Sequence, residues 1–192
     1  MTDSITCRDG NGTQLGGCFR DITSCRYQWL VVLTCVAVHT AITFLLPFPG
    51  CPTGYLGPGG VHDHGAHANC TGGSATIIDI SVFGADHIYR HPTARRVYAT
   101  DAPYDPEGLL GALTSVFLVY CGAQAAKTML AFGHWRDRVR RWLAWAVVLG
   151  LVSGGLCGFS KEGGIIPVNK NLWSLSFVTA TASMAFVLLS IM

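Results

Sequence analysis

The stretch His134-Trp-Arg-Asp-Arg-Val-Arg-Arg-Trp-Leu-Ala144 decides how the rest of the chain is read. It packs Arg136, Arg138, Arg140 and Arg141 between two long apolar runs, 108–132 and 142–159. Few soluble domains bury runs of that length around so dense a charge. A membrane protein does so routinely, because arginines in short loops are held on the cytoplasmic side.

Working outward, two further apolar runs complete the pattern, at 27–46 and 172–192. Each run is near the roughly 20 residues that carry a helix across about 30 Å of hydrocarbon, and in lipid a helix satisfies its own backbone. The expectation is an all-α integral membrane protein of about four transmembrane helices. Composition agrees, with 50% apolar residues, 12% charged residues and 23 glycines, which suits close-packed spans. Trp29, Trp142, Trp145 and Trp173 fall near span ends, where interfacial aromatics belong. The net charge of +2 is not gathered into a basic patch interleaved with aromatics, so nucleic-acid binding has no support.

With the arginine loop 133–141 in the cytosol, alternation places the glycine-rich loop 47–107 and the loop 160–171 on the lumenal or outer side. Residues 1–26 form a cytosolic segment, 27–192 the membrane bundle, and both termini are cytosolic. Arg8, Arg20 and Arg26 agree with an inside N-terminus. The fourth run ends in Leu188-Leu189-Ser190-Ile191-Met192 with no polar tail, which suggests a piece of a longer protein. Gly150, Gly154 and Gly158 recur every fourth residue, a smooth stripe for close helix packing or for a homo-oligomer contact.

The long loop carries a specific resemblance. Its segments Cys51-Pro-Thr-Gly-Tyr-Leu-Gly-Pro-Gly-Gly60, Asn69-Cys-Thr-Gly-Gly73, Asp86-His-Ile-Tyr-Arg-His-Pro92 and Tyr104-Asp-Pro-Glu-Gly108 resemble the heparan-alpha-glucosaminide N-acetyltransferase family. So does Ile166-Pro-Val-Asn-Lys-Asn-Leu-Trp-Ser-Leu-Ser176, and the match begins near Phe19-Arg-Asp-Ile-Thr23. The resemblance implies the middle portion of a multi-pass enzyme of the lysosomal membrane. Such an enzyme takes acetyl from cytosolic acetyl-CoA to the terminal glucosamine of heparan sulfate in the lumen, and needs no metal. The family's active-site histidine lies in a segment that no residue of this chain matches, so the catalytic base is unassigned. The alternative is a non-catalytic, truncated four-span protein or scaffold. It lacks the Cys-Cys-Gly signature of tetraspanins, and no charged relay supports a transporter.

Candidate site residues follow from position. Asp105 reads as the N-cap of the second span, with Pro106 at its first position and Glu107 favoured by the helix dipole, or as a holder of the sugar's amine and hydroxyls. Asn171 reads as the cap of the fourth span. Lys170 beside it puts a cation at a helix N-terminus on the lumenal side, against both the dipole and the positive-inside bias. It therefore calls for a partner, either Glu107 or Asp105, or a sulfate or carboxylate of the substrate. Asn169, Trp173, His87 and His91 complete the substrate-side candidates.

On the cytosolic side Lys127, Arg136, Arg138, Arg140 and Arg141 suit anionic lipid or the phosphates of coenzyme A. His39 stands within the first span, where an ionisable group is a functional candidate or a packed neutral one. The spacing of His62, His64, His67 and Cys70 is compatible with zinc, which the family does not require. Cys51 and Cys70 share the oxidising side, and joining them would close a loop of about 20 residues, worth about 3 kcal/mol. Cys7, Cys18 and Cys25 are expected as thiols, and Cys35, Cys121 and Cys157 as packing residues. Of two sequons, Asn11-Gly-Thr and Asn69-Cys-Thr, topology exposes Asn69 to glycosylation.

Overall fold

The computed structural model describes residues 20–101, 103–160 and 164–192, so Cys7, Arg8, Asn11 and Cys18 lie outside the described residues. The described chain is all helical: α1 (Arg20–Thr23), α2 (Arg26–Leu45), α3 (Gly73–Phe83), α4 (Thr93–Tyr98), α5 (Leu109–Ala131), α6 (Trp135–Cys157) and α7 (Leu175–Ile191), with short 3₁₀ turns at His62–Gly65 and Ala85–His87. Three of these, α2, α5 and α6, are long and apolar enough to cross a membrane, while α7 is a shorter apolar helix of 17 residues. At 1.5 Å per residue α7 spans about 26 Å, the lower end of what bridges a bilayer core.

Antiparallel neighbours build the bundle. On α6 and α7 the bonded pairs run in opposite directions, with Ser153 Oγ donating to Ser176 O (2.8 Å) and Ser183 Oγ to Ala146 O (2.7 Å). Gly150 lets α7 approach, since a Cβ there would sit 3.1 Å from Ser183 Oγ. The glycine stripe is thus used inside this bundle. Its last member, Gly158, takes the left-handed conformation (φ 60°) that ends α6. Val178, Ala182 and Phe186 of α7 meet Phe117, Cys121, Trp142 and Leu149 in the main core. Outward-facing Leu30, Val119, Val147, Leu151 and Leu188 are exposed, as expected for surfaces that face lipid.

Four sequence expectations are corrected here. The loop expected over 133–141 shrinks to the few residues between Ala131 and Trp135, and all four arginines belong to the first two turns of α6. Arginine is a good helix former, and the helix simply continues beyond its apolar run. His134 Nδ1 accepts from Arg136 N–H (3.2 Å), Asp137 stands in the first turn, and Arg138 Nε donates to Phe132 O at the end of α5 (2.6 Å). Trp145 consequently lies well inside α6, stacked between Trp29 (5.4 Å) and Phe186 (6.1 Å) rather than at a span end.

The second correction is that loop 47–107 contains α3 and α4, and α3 packs against α2 and α5. Third, Ser174, not Asn171, caps α7: its hydroxyl accepts from Phe177 N–H (3.3 Å) and donates to Pro167 O (2.9 Å). The fourth span therefore begins at 175 instead of 172.

The fourth correction concerns α5. Its N-cap position is Gly108, and the acceptor comes from another helix: Asp79 of α3 takes Leu109 N–H at 2.8 Å. Asp105 instead accepts Glu107 N–H (3.0 Å) in a local turn. The buried Asp79 carboxylate is closer to the orphan donors of α5, so it takes the dipole's positive end.

Candidate functional site

At one end of the bundle, where α2 and α6 finish and α5 and α7 begin, the polypeptide between the helices builds a cleft. One wall is the loop closed by the Cys51–Cys70 disulfide (Cα–Cα 5.7 Å), and the other is the segment 164–171. The cavity between them is about 700 Å³, within the range of small-molecule sites. Tyr55, His62, Asp63 and His67 line the first wall, Asn169, Lys170 and Asn171 the second, and Tyr98 of α4 also reaches it.

The walls are held by the backbone. Val61 N–H donates to Tyr98 O (2.8 Å) and Gly60 N–H to Ala68 O (2.9 Å), which docks the disulfide loop on α4. Gly60 (φ 62°) must be glycine, because a Cβ would strike Tyr98 O. Asn169 latches the two walls: Nδ2 donates to Leu56 O (3.2 Å), Oδ1 accepts from Asn171 N–H (3.0 Å), and its own N–H donates to Ser174 Oγ (3.0 Å). Both ends of that side chain are engaged, so Asn169 shapes the cleft. Tyr104, beneath, donates its hydroxyl to Asn171 O, and burial pushes its phenol above the ordinary value, with Asp79 and Asp105 adding to the effect.

The cleft lining carries charge of both signs. Asp63 and His64 both adopt the left-handed backbone region (φ 50° and 56°), a strain of order 1–3 kcal/mol each that clusters at functional sites. Asp63 Oδ2 lies 3.0 Å from His62 Nδ1. Lys170, also in the lining, is exposed and makes no ion pair among the described residues. This corrects the expected pairing with Asp105 or Glu107, which belong to the approach to α5 and do not line the cleft. Burial raises the Tyr55 phenol, the Gly59 N–H donor opposes that, and Asp63 adds to it.

Other predicted residues lie elsewhere. His87 and His91 are exposed and off the cleft, near the Asp86–Arg90 surface pair (3.6 Å). Trp173 seats its ring on Gly111 of α5, and its carbonyl accepts from Thr114 Oγ1 (2.9 Å), so it anchors α7 to α5. Among the described residues no three His, Cys, Asp or Glu side chains gather to hold a metal, and the disulfide removes Cys70 from the His62, His64, His67 set. His39 is buried in α2, where its ring faces the backbone of Leu172.

The opposite end of the bundle carries a second polar cluster. Arg141 Nη1 meets Asp21 Oδ1 at 2.9 Å, and Asp21 Oδ2 accepts from Gln124 (3.1 Å) and Thr128 (3.2 Å). Lys127 Nζ donates to Gln28 Oε1 (2.7 Å) and Tyr120 Oη (2.9 Å). Of the expected phosphate-binding set, Arg138, Arg141 and Lys127 therefore serve helix contacts, which leaves Arg136 and Arg140 exposed.

Sequence reasoning missed Tyr55, Asp63 and Tyr98 as cleft residues, because no local pattern marks them. It also missed Asp79, although one carboxylate in Thr76-Ile-Ile-Asp-Ile80 is a readable signal of a buried partner.

These features define a polytopic helical membrane protein with a disulfide-stapled cleft of mixed charge at one end. Among known proteins, the chain is similar to human heparan-alpha-glucosaminide N-acetyltransferase, 49% identical over 174 residues that make up 90% of this chain and 26% of the relative. The mouse enzyme of the same name is 46% identical over 181 residues, 91% of this chain and 27% of the relative. The chain thus spans about a quarter of the length of the curated relatives it matches. No family model matches it.

Proposed function

We propose that the chain forms part of a transmembrane acetyltransferase, and that its cleft receives the terminal glucosamine of heparan sulfate on the lumenal side of the lysosomal membrane. The observation that carries this reading is the cleft itself, whose lining includes both the ammonium of Lys170 and the carboxylate of Asp63. The similarity to named N-acetyltransferases supplies the reaction class. Lys170 suits a sulfate or carboxylate on the sugar chain, and Asp63 suits the amine. Tyr55 and Tyr98 offer ring faces to the sugar.

The reaction is acyl transfer to nitrogen. The amine attacks the thioester carbonyl of acetyl-CoA, the C–N bond forms, the C–S bond breaks, and the amine's proton ends on the departing thiolate, which leaves as the coenzyme A thiol. Acetyl-CoA is the cytosolic co-substrate in this reading, entering from the bundle end that bears Arg136 and Arg140. The spans then wall a path between the two compartments, with both termini of this chain in the cytosol.

Acetyl transfer tests this in a full-length relative carrying Lys170→Met at the equivalent position. The acceptor KM is expected to rise about tenfold, the loss of one charge-assisted contact near 1.4 kcal/mol, while the acetyl-CoA KM stays unchanged. An unchanged acceptor KM would remove Lys170 from substrate binding.

A further inference from the structure

Asn69-Cys70-Thr71 is an N-glycosylation acceptor whose middle residue is half of the disulfide. Asn69 is exposed, whereas Cys70 and Thr71 are each only 2% exposed. The Thr71 hydroxyl is buried without a hydrogen-bond partner, directly under Gly59, where an added Cβ would meet it at 2.5 Å. Cys70 N–H donates to His67 O (3.0 Å) and Gly73 N–H to Cys70 O (3.1 Å), so the tripeptide is wound into successive turns. The glycan-transferring enzyme has to reach the threonine hydroxyl as well as the asparagine amide, which is why acceptors lie in accessible surface segments. The closed loop offers only the amide.

We infer that Asn69 is glycosylated only while the 51–70 loop is open, so that sugar and disulfide are installed in a fixed order, sugar first. This rests on the proposed topology, which places the loop in the lumen. In the first step the Asn69 side-chain nitrogen attacks the anomeric carbon of a lipid-linked oligosaccharide. A C–N bond forms, the bond from that carbon to the lipid pyrophosphate breaks, and the amide gives up one proton. In the second step the Cys51 and Cys70 thiols deliver two electrons and two protons to a protein disulfide, which becomes a dithiol. Closure draws Cys70 and Thr71 inside and withdraws the hydroxyl. The two cysteines are only 19 positions apart, so both emerge during synthesis almost together and the two modifications compete directly. His67, two residues before Asn69, lines the cleft.

The test is translation of the full chain into endoplasmic-reticulum microsomes with a competing Asn-X-Thr peptide present, followed by removal of the peptide with or without dithiothreitol. Asn69→Gln identifies the Asn69 glycoform, and thiol alkylation with a non-reducing gel identifies closed chains. Closed chains are expected to gain no glycan at Asn69, and dithiothreitol to restore its addition. Glycan addition to closed chains at the rate of reduced ones would overturn the order. Absence of the glycan even from nascent, reduced chains without competitor would overturn the lumenal placement, and the order with it.

Discussion

The Asp21–Arg141 pair separates a structural from a cofactor-binding role for the arginine cluster. Arg141 Nη1 lies 2.9 Å from Asp21 Oδ1, the Asp21 side chain is fully buried, and Gln124 and Thr128 bond its second oxygen. Removing one member of such a pair strands a buried charge, at a cost of about 3–5 kcal/mol. Arg141 keeps a second interaction, so Asp21→Asn should fall at the lower end, about 3 kcal/mol. Arg141→Met leaves the carboxylate with only two neutral donors and should cost at least as much. In the double variant no charge remains and the introduced amide still accepts from Gln124 or Thr128, so the loss should shrink to about 1 kcal/mol. The resulting coupling is about 5 kcal/mol, well outside additivity. Thermal unfolding in detergent reads it, since 3 kcal/mol corresponds to about 6–12 °C for a chain of this size. Single variants that melt within about 1–2 °C of wild type would show that the pair does not hold the bundle together. A raised acetyl-CoA KM in Arg141→Met without loss of stability would return Arg141 to phosphate binding.

Asp79 predicts a pH dependence. Burial raises its carboxyl above the ordinary value, the Leu109 N–H opposes this, and Asp105 adds to it. The folded state then holds the proton more tightly than the unfolded one. Its contribution is fully present below about pH 4 and is lost as pH rises through the raised value. Melting curves of wild type minus Asp79→Asn should show that decline, and a flat difference would remove Asp79 as the titrating group. Gly108→Ala drives a methyl into the Asp79 carboxylate and should destabilise by about 1–3 kcal/mol, readable in the same melting assay. Cys51→Ser opens the cleft wall and should cost about 3 kcal/mol, measured as increased protease cutting within 52–69.

The α2 and α5 spans were legible because an apolar run near 20 residues has few other uses, and their ends differ by a single residue at each boundary. The start of α6 was misread because charge density suggests a loop, whereas arginine propagates a helix as readily as leucine does. The α3 helix was hidden because its 11 residues sit among glycine-rich turns, and its packing on α2 and α5 decides its conformation. Asp105 looked like a cap because capping signals are local, while the acceptor that took Leu109 N–H came from 30 residues upstream. In the candidate site, Asn169 and Lys170 were readable from an unusual charge beside a helix start. Asp63, Tyr55 and Tyr98 were not, because only the folded disulfide loop brings residues 55–63 and 98 to face 169–171.

The most direct test of the proposed acceptor cleft is saturation-transfer NMR of a glucosaminide carrying an acidic neighbouring sugar, using the purified, disulfide-closed chain. Transfer to the sugar is expected in wild type and lost in both Lys170→Met and Asp63→Asn, while the melting temperature of each variant is kept. Equal transfer in wild type and both variants, or none in folded wild type, would contradict it.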